Sequence, residues 1–361
     1  MYITKLKVFL LCFSLLIFFS STVQAITKEV ITKVQRSIVL ISSNTKEKPS
    51  LDTPSSLCAG SVINEEGLVL TNFHCIYGQK TVKLWYWDED DWHEYDVQVI
   101  GEDPLADLAV LKVQGQDRKV PYLKFADKEN IYTGAEAFAF GHPMGMVWSL
   151  SRGIISNDNR YARHPYIKAI QVDAAINKGN SGGPIINSKG EIMGIATLLV
   201  SRTKQNAGVG IAIRGDIAEK SLDTMITTGK VDRPAIGVSI ITLFGKDSQR
   251  NNIKKKHPDI KTTIPNTYGL LVTTDESGKR PIPKGLKPWD TIIGINDTLI
   301  NNDVEFSNQL IKYKIGQVIT VNVLRDKRFM KVNDIILKIL PVPTKLMYGK
   351  LLRPPVEPPK E

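Results

Sequence analysis

From Ser37 to Ile213 the chain is written in short apolar or alternating runs: "SIVLI", "CAGSVI", "GLVLT", "TVKLWYW", "LAVLKV", "EAFAF", "GIIS" and "GVGIAI". Turn signals such as "NEEG" (64–67) and "NSKG" (187–190) separate them. Many short strands at such spacing predict an all-β barrel or sandwich. The β stretch closes with "GDIAEKSLDTMITTG". There Asp216 and Glu219 read as a capping box, Ile217, Leu222 and Ile226 are apolar, and Gly229 stops the helix. "KVDRP" (230–234) reads as a linker.

A second unit runs from about Ala235 to Leu340, with "AIGVSII", "GLLVTT", "TIIGIND" and "VITVNVLRD" as strands. One helix is expected over 302–315. Asn302 and Glu305 form its capping box, Phe306, Leu310 and Tyr313 its apolar face, and Gly316 its stop. From 341 to 361 the chain is dense in proline and reads as a mobile tail.

The first 25 residues differ from the rest. Two lysines in "MYITKLK" precede an apolar run from Val8 to Phe19, and "SSTVQA" ends in a small residue. This is the pattern of a secretory signal peptide cleaved after Ala25. The apolar run is 12 residues long, short of the ~20 needed to span a bilayer; an uncleaved anchor is the alternative. Removing Lys5 and Lys7 lowers the formal charge from +10 to +8. The excess is local: ten Lys/Arg fall between Lys246 and Lys287, including Lys254–Lys256, with no aromatic interleaving. That reads as a solvated basic loop and gives no sign of nucleic-acid binding.

"NKGNSGGPIIN" (177–187) places Ser181 among Gly179, Gly182 and Gly183. A plain loop uses such glycines to turn. An acyl-transfer enzyme uses them to aim backbone N–H groups at an oxyanion. The second use needs a base and a carboxylate as well. Of five histidines, His93 lies in an acidic run and reads as surface, His142 and His164 precede prolines and read as turns, and His257 belongs to the basic loop. His74 ends the apolar strand "GLVLTNFHC", where a side chain can face a cleft. Cys58 and Cys75 are the only cysteines after residue 25. In an exported chain they are expected to pair and pin His74; two unpaired buried thiols are the alternative. A zinc site lacks further ligands at metal spacing. In "GEDPLADLAVLKV" Asp107 is flanked by apolar residues, so it is expected to be buried and to need a partner. Asp103, before Pro104, reads as a turn residue.

"TNFHC", "DPLADLAVLKV" and "QVDAAINKGNSGGPIIN" occur in the order His, Asp, Ser. Together they resemble the trypsin-like double β-barrel serine proteases, and "DAAINKGNSGGP" and "GVGIAI" resemble their bacterial HtrA (Deg) branch over about Val34 to Thr228. The cysteine pair departs from that branch and is similar to the disulfide beside the catalytic histidine of digestive-type relatives. The resemblance implies Ser181 as nucleophile, His74 as base and Asp107 as the orienting carboxylate. It implies an oxyanion hole from the N–H groups of Gly179 and Ser181 with Asn180 between them, and neither metal nor cofactor. It also places Ala175 at the floor of the primary pocket and Thr197, Leu198, Leu199, Gly208, Val209 and Gly210 in its walls, a shallow apolar pocket for small or medium aliphatic residues.

"RPAIGVSI", "KGLKPWDTIIGIND" and the helix after Asn302 resemble a PDZ domain. The resemblance implies that Ala235, Ile236, Gly237 and Val238 offer backbone N–H groups to a peptide C-terminus. Trp289 and Asp297 replace glycines usual in that family, which puts the ligand groove in question. The chain is thus expected to be mainly β: a protease domain over 26–229 and a smaller α+β PDZ-like domain over 235–340. The expected function is that of an exported, periplasmic serine endopeptidase acting on unfolded or damaged proteins in envelope quality control, with a homotrimer possible. A chaperone or binding scaffold with a resting site, or a regulatory protease with one signalled target, are the alternatives.

Overall fold

Two closed six-stranded barrels carry the first two thirds of the chain in this computed structural model. It describes residues 25–42, 58–79, 82–88, 91–115, 119–143, 146–162, 164–199, 208–258, 260–273 and 281–341. The expected signal segment before Ala25 and the proline-rich tail beyond Pro341 lie outside the described residues. No described helix is long and apolar enough to cross a membrane.

The first barrel takes β1 (Ile38–Ser42), β2 (Cys58–Val62), β3 (Leu68–Thr71), β4 (Lys83–Asp88), β5 (Asp91–Asp103) and β6 (Leu108–Val113), in the order β1-β2-β3-β6-β5-β4. The second takes β7 (Glu136–Gly141), β8 (Ser149–Tyr161), β9 (Lys168–Val172), β10 (Pro184–Ile186), β11 (Ile192–Leu199) and β12 (Gly210–Arg214), in the order β10-β11-β12-β9-β8-β7. Side chains alternate across a strand, and in β1, β2, β3 and β7 both faces are buried. Val39 and Ile41 of β1 and Ala109 and Leu111 of β6 fill the first barrel. Ile38, Leu108 and Val110 turn the other way, into a core shared with Phe138 and Phe140 of β7. Ala137 and Ala139 fill the second barrel. That is why the runs read as nearly continuous apolar text, and why the two barrels pack as one body.

A helix the sequence analysis did not assign, Lys28–Gln35, precedes β1. Thr27 caps it by accepting the Val30 N–H, and Val34 is buried against the shared core. The helix Gly215–Thr228 packs against strands of both barrels. Its expected capping box does not form: the N-cap is Arg214, and Asp216 instead accepts from the Arg214 side chain at 2.8 Å. Gly229 does end it, at φ +75°, the left-handed value that glycine adopts without penalty.

The C-terminal unit is a six-stranded antiparallel sheet, its path Ser239–Phe244, Tyr268–Thr273, Thr291–Ile295, Val318–Arg325 and Arg328–Ile336 with Thr298–Leu299 paired beside Thr291–Ile295, and it carries the expected helix as Asp303–Leu310. Asn302 accepts the Glu305 N–H as the capping box predicts, but the helix ends at Leu310, short of 315. Lys314 to Gln317 form a turn there, with Gly316 at φ +85° and its N–H donating to Leu337.

The expected basic loop is also corrected. Asp247–Lys256 is a helix whose last turn carries Lys254–Lys256, where cations suit the helix dipole. Its buried Ile253 packs with Leu243, Ile264 and Leu271, and Trp289 covers this cluster. Trp289 has φ +70°, so glycine would be unstrained there. The indole instead supplies the apolar surface on which the added helix sits.

The segment 230–234 is held on both sides. The Arg233 guanidinium is buried against Asp103, and Pro234–Ala235 pairs with Lys338–Ile339.

Candidate active site

His74 lies in a single 3₁₀ turn, Phe73–Cys75, directly after β3. Asp107 lies in the turn between β5 and β6, fully buried and at φ +59°. Its main-chain carbonyl accepts from Phe73 N–H at 3.0 Å and from the Asn72 side-chain amide at 2.9 Å. Its carboxylate accepts the His74 main-chain N–H at 3.0 Å and the Thr197 hydroxyl at 2.6 Å, and it meets His74 Nδ1 at 2.8 Å. The two turns therefore fix each other. A buried carboxylate is stable only when its oxygens are satisfied, and three donors satisfy this one. The Nδ1–H contact sets the tautomer and leaves His74 Nε2 as the ring's proton acceptor.

Ser181 comes from the second barrel, in the turn before β10. Its carbonyl accepts from Ala59 N–H at 2.8 Å and lies 3.9 Å from Cys75 Sγ. The Ser181 backbone is thus seated on β2 of the first barrel, close to Cys75. Gly182 makes this approach possible. A Cβ there would sit 2.3 Å from both the Ala59 carbonyl oxygen and Thr71 Oγ1, so no other residue fits. Gly179, at φ +106°, is equally constrained: its Cβ would lie 2.2 Å from the His142 carbonyl oxygen. Asn180 N–H donates to Asn177, and Gly182 N–H to Ala196. Among the described residues the N–H groups of Gly179 and Ser181 have no acceptor within the chain.

Cys58 and Cys75 form a disulfide. It ties the start of β2 to the residue after His74. The two sulfurs and His74 are the one group of possible metal ligands among the described residues, but a disulfide offers no thiolate to a metal.

The expected pocket residues are placed unevenly. Ala175 is partly exposed and its carbonyl accepts from Ser151 Oγ and Asn180 Nδ2. Gly208 is exposed, Val209 half-buried and Gly210 buried. The side chains of Leu198 and Leu199 lie outside the described residues. Thr197, expected as pocket wall, turns its hydroxyl onto Asp107. Nothing in its local sequence signals that role, because the partner is 90 residues away. Two further assignments change. Asp103, expected in a turn, instead ends β5, fully buried, and holds Arg233 and Ser221. His142, expected in a turn before Pro143, is fully buried after β7, and burial pushes its pKa down to about 4.

A second concave feature lies in the C-terminal unit. Ala235, Ile236, Gly237 and Val238 line a groove whose far wall is Phe306 and Leu310. His164 and Tyr166 of the second barrel close one side. Tyr166 hydroxyl donates to the Pro234 carbonyl. Trp289 and Asp297 do not line the groove, so the substitutions that put it in question lie elsewhere.

Residues 58–195 match the trypsin-like peptidase domain. A probable periplasmic serine endoprotease, DegP-like, of Brucella suis biovar 1 (strain 1330) is 31% identical over 291 residues, covering 80% of this chain and 54% of that protein. The putative serine protease HhoA of Synechocystis sp. (strain ATCC 27184 / PCC 6803 / Kazusa) is 31% identical over 275 residues, covering 75% of this chain and 68% of that protein. Among solved structures, the HtrA-type protease AlgW with decapeptide superposes with TM-score 0.71 at 26% identity, over 87% of this chain and 98% of that one. The chain spans about half the length of the DegP-like relatives it matches.

Proposed function

The chain belongs to the trypsin-like serine proteases of the DegP/HtrA family, and from that premise we propose that it is an exported serine endopeptidase that cleaves unfolded or damaged proteins in the periplasm. The observation that carries the reading is the His74–Asp107 pair at 2.8 Å in the barrel on which the Ser181 turn is seated through Ala59. Ser181 Oγ attacks the peptide carbonyl. His74 Nε2 takes its proton and returns it to the leaving amine. Asp107 holds the ring and stabilises the imidazolium, while the Gly179 and Ser181 N–H groups receive the oxyanion. The acyl-enzyme is then released by water along the same path.

The groove at Ala235–Val238 supports a finer reading, a protease governed by peptide C-termini added as a strand along Ser239–Phe244. Its contact with Tyr166 links that groove to the second barrel. A homotrimer is the assembly we propose, and sedimentation mass tests it. The decisive experiment is degradation of unfolded casein by wild type beside Ser181→Ala, with and without a C-terminal peptide. Loss of cleavage in Ser181→Ala supports the protease. Equal cleavage by both proteins overturns it, and wild-type cleavage only with peptide selects the regulated form.

A further inference from the structure

His142 stands where three parts of the molecule meet. Resting on the proposed serine-protease reading, we propose that it is a positioning residue for the oxyanion hole. It follows β7, in the connection to β8, and is fully buried. Its ring bridges the barrels. Nε2 lies 3.3 Å from the Val39 carbonyl oxygen in β1, and Nδ1 accepts the Trp148 N–H at 3.3 Å. Both contacts fit only one state, the neutral ring with its proton on Nε2. Burial keeps it in that state, and no charged group contributes to the shift.

The main chain of His142 faces the opposite way, onto the serine turn. Its N–H points at the Gly179 carbonyl oxygen at 3.4 Å. Its own carbonyl oxygen occupies the space a Gly179 Cβ would need, at 2.2 Å. Gly141 is also pressed on Asn180, whose Oδ1 and Cα would lie 2.8 and 3.0 Å from a Cβ there. The backbone from 141 to 143 is therefore the wall against which Gly179 and Asn180 lie, and the ring holds that wall to the first barrel.

Trp148 secures the other end of the same connection. At φ +56° it stacks on Trp92, centroids 5.0 Å apart at 11°, and meets Trp87 edge-on at 4.9 Å. Both partners belong to the first barrel. The connection that backs the oxyanion glycine is thus pinned through an imidazole and an indole to the barrel that carries His74 and Asp107. A donor that must meet an oxyanion within a few tenths of an ångström needs such backing.

The test uses the full chain with a fluorogenic peptide substrate and a peptide aldehyde, which mimics the tetrahedral intermediate. Variants are His142→Ala, His142→Gln and His142→Asn, each checked for a cooperative thermal transition. In His142→Ala, kcat should fall about 10²–10³-fold, as for loss of an oxyanion donor, with KM within about threefold. Aldehyde affinity should fall in step with kcat/KM, because the missing interaction exists only in the transition state. His142→Gln, which can reach Val39, should recover more activity than His142→Asn. Should His142→Ala fail to fold, the folded Gln and Asn variants decide by the same split. A folded His142→Ala or His142→Asn with wild-type kcat, or one that changes KM alone, overturns the proposal. Full proteolysis by Ser181→Ala would instead remove the protease reading on which it rests.

Discussion

The Arg233 guanidinium and the Asp103 carboxylate meet as a two-armed ion pair, Nη1 to Oδ1 at 2.8 Å and Nη2 to Oδ2 at 2.6 Å, both side chains buried. Asp103 Oδ2 also accepts from Ser221, and Oδ1 from Ala106 N–H. The residue that enters the C-terminal unit thus grips the turn that delivers Asp107. Removing one partner leaves a buried charge unpaired, so Arg233→Ala should lose about 3–5 kcal/mol of stability. Urea unfolding of Arg233→Ala beside the pair Arg233→Met/Asp103→Leu checks this. The pair should be the more stable variant.

The triad should behave as one unit. Ser181→Ala, His74→Ala and Asp107→Ala should each lower turnover by several orders of magnitude, and combining them should add little. Thr197→Val removes one of three donors to Asp107; it should cost turnover less than Asp107→Ala. Initial rates on one peptide substrate rank the four variants.

The disulfide encloses 17 positions, for which chain entropy gives ~3 kcal/mol. Thiol titration of the denatured, unreduced protein should find no reactive thiol in the mature chain. Reduction should lower the urea midpoint, and it should loosen the seat of His74 as well.

Acid should destabilise the fold through two histidines. Burial pushes His142 down to about 4, and burial together with the nearby Arg233 cation pushes His164 down to about 4. Both are neutral when folded and take up a proton near 6.5 when unfolded. Their stabilising effect is therefore complete above about 6.5 and is lost as pH falls towards 4. For His142 the interval corresponds to roughly 3 kcal/mol. Melting of Ser181→Ala, free of self-digestion, from pH 8 to pH 4 should show the slope. His164→Asn should flatten it in part.

Ala175 offers no charge to a basic side chain, so cleavage should follow small or medium aliphatic residues. Preference should be graded, since one methylene is worth ~1–3 kcal/mol. Sequencing the products of digested casein tests the assignment. A majority of cuts after lysine, arginine or large aromatics would sink it and leave the triad untouched.

The strand runs, the order His74, Asp107, Ser181 and the glycines of 179–183 were legible in the sequence, because each is a local pattern with a local cause. Alternation marks a strand, and glycine marks a backbone that a neighbour must approach. The two cysteines were legible for the same reason, as a pair with few alternatives. What only the tertiary structure decided are contacts whose partners lie far along the chain. Thr197 finds Asp107 across 90 positions and Arg233 finds Asp103 across 130. His142 finds Val39 across 103. The flanking prolines made Asp103 and His142 look like turn residues, yet Asp103 ends β5 and both side chains are fully buried. The same limit explains Trp289, a glycine-like conformation filled by an indole that packs with the cluster holding Ile253 of the helix Asp247–Lys256, far back along the chain. Burial is a property of what packs on a residue, and sequence neighbours do not record it.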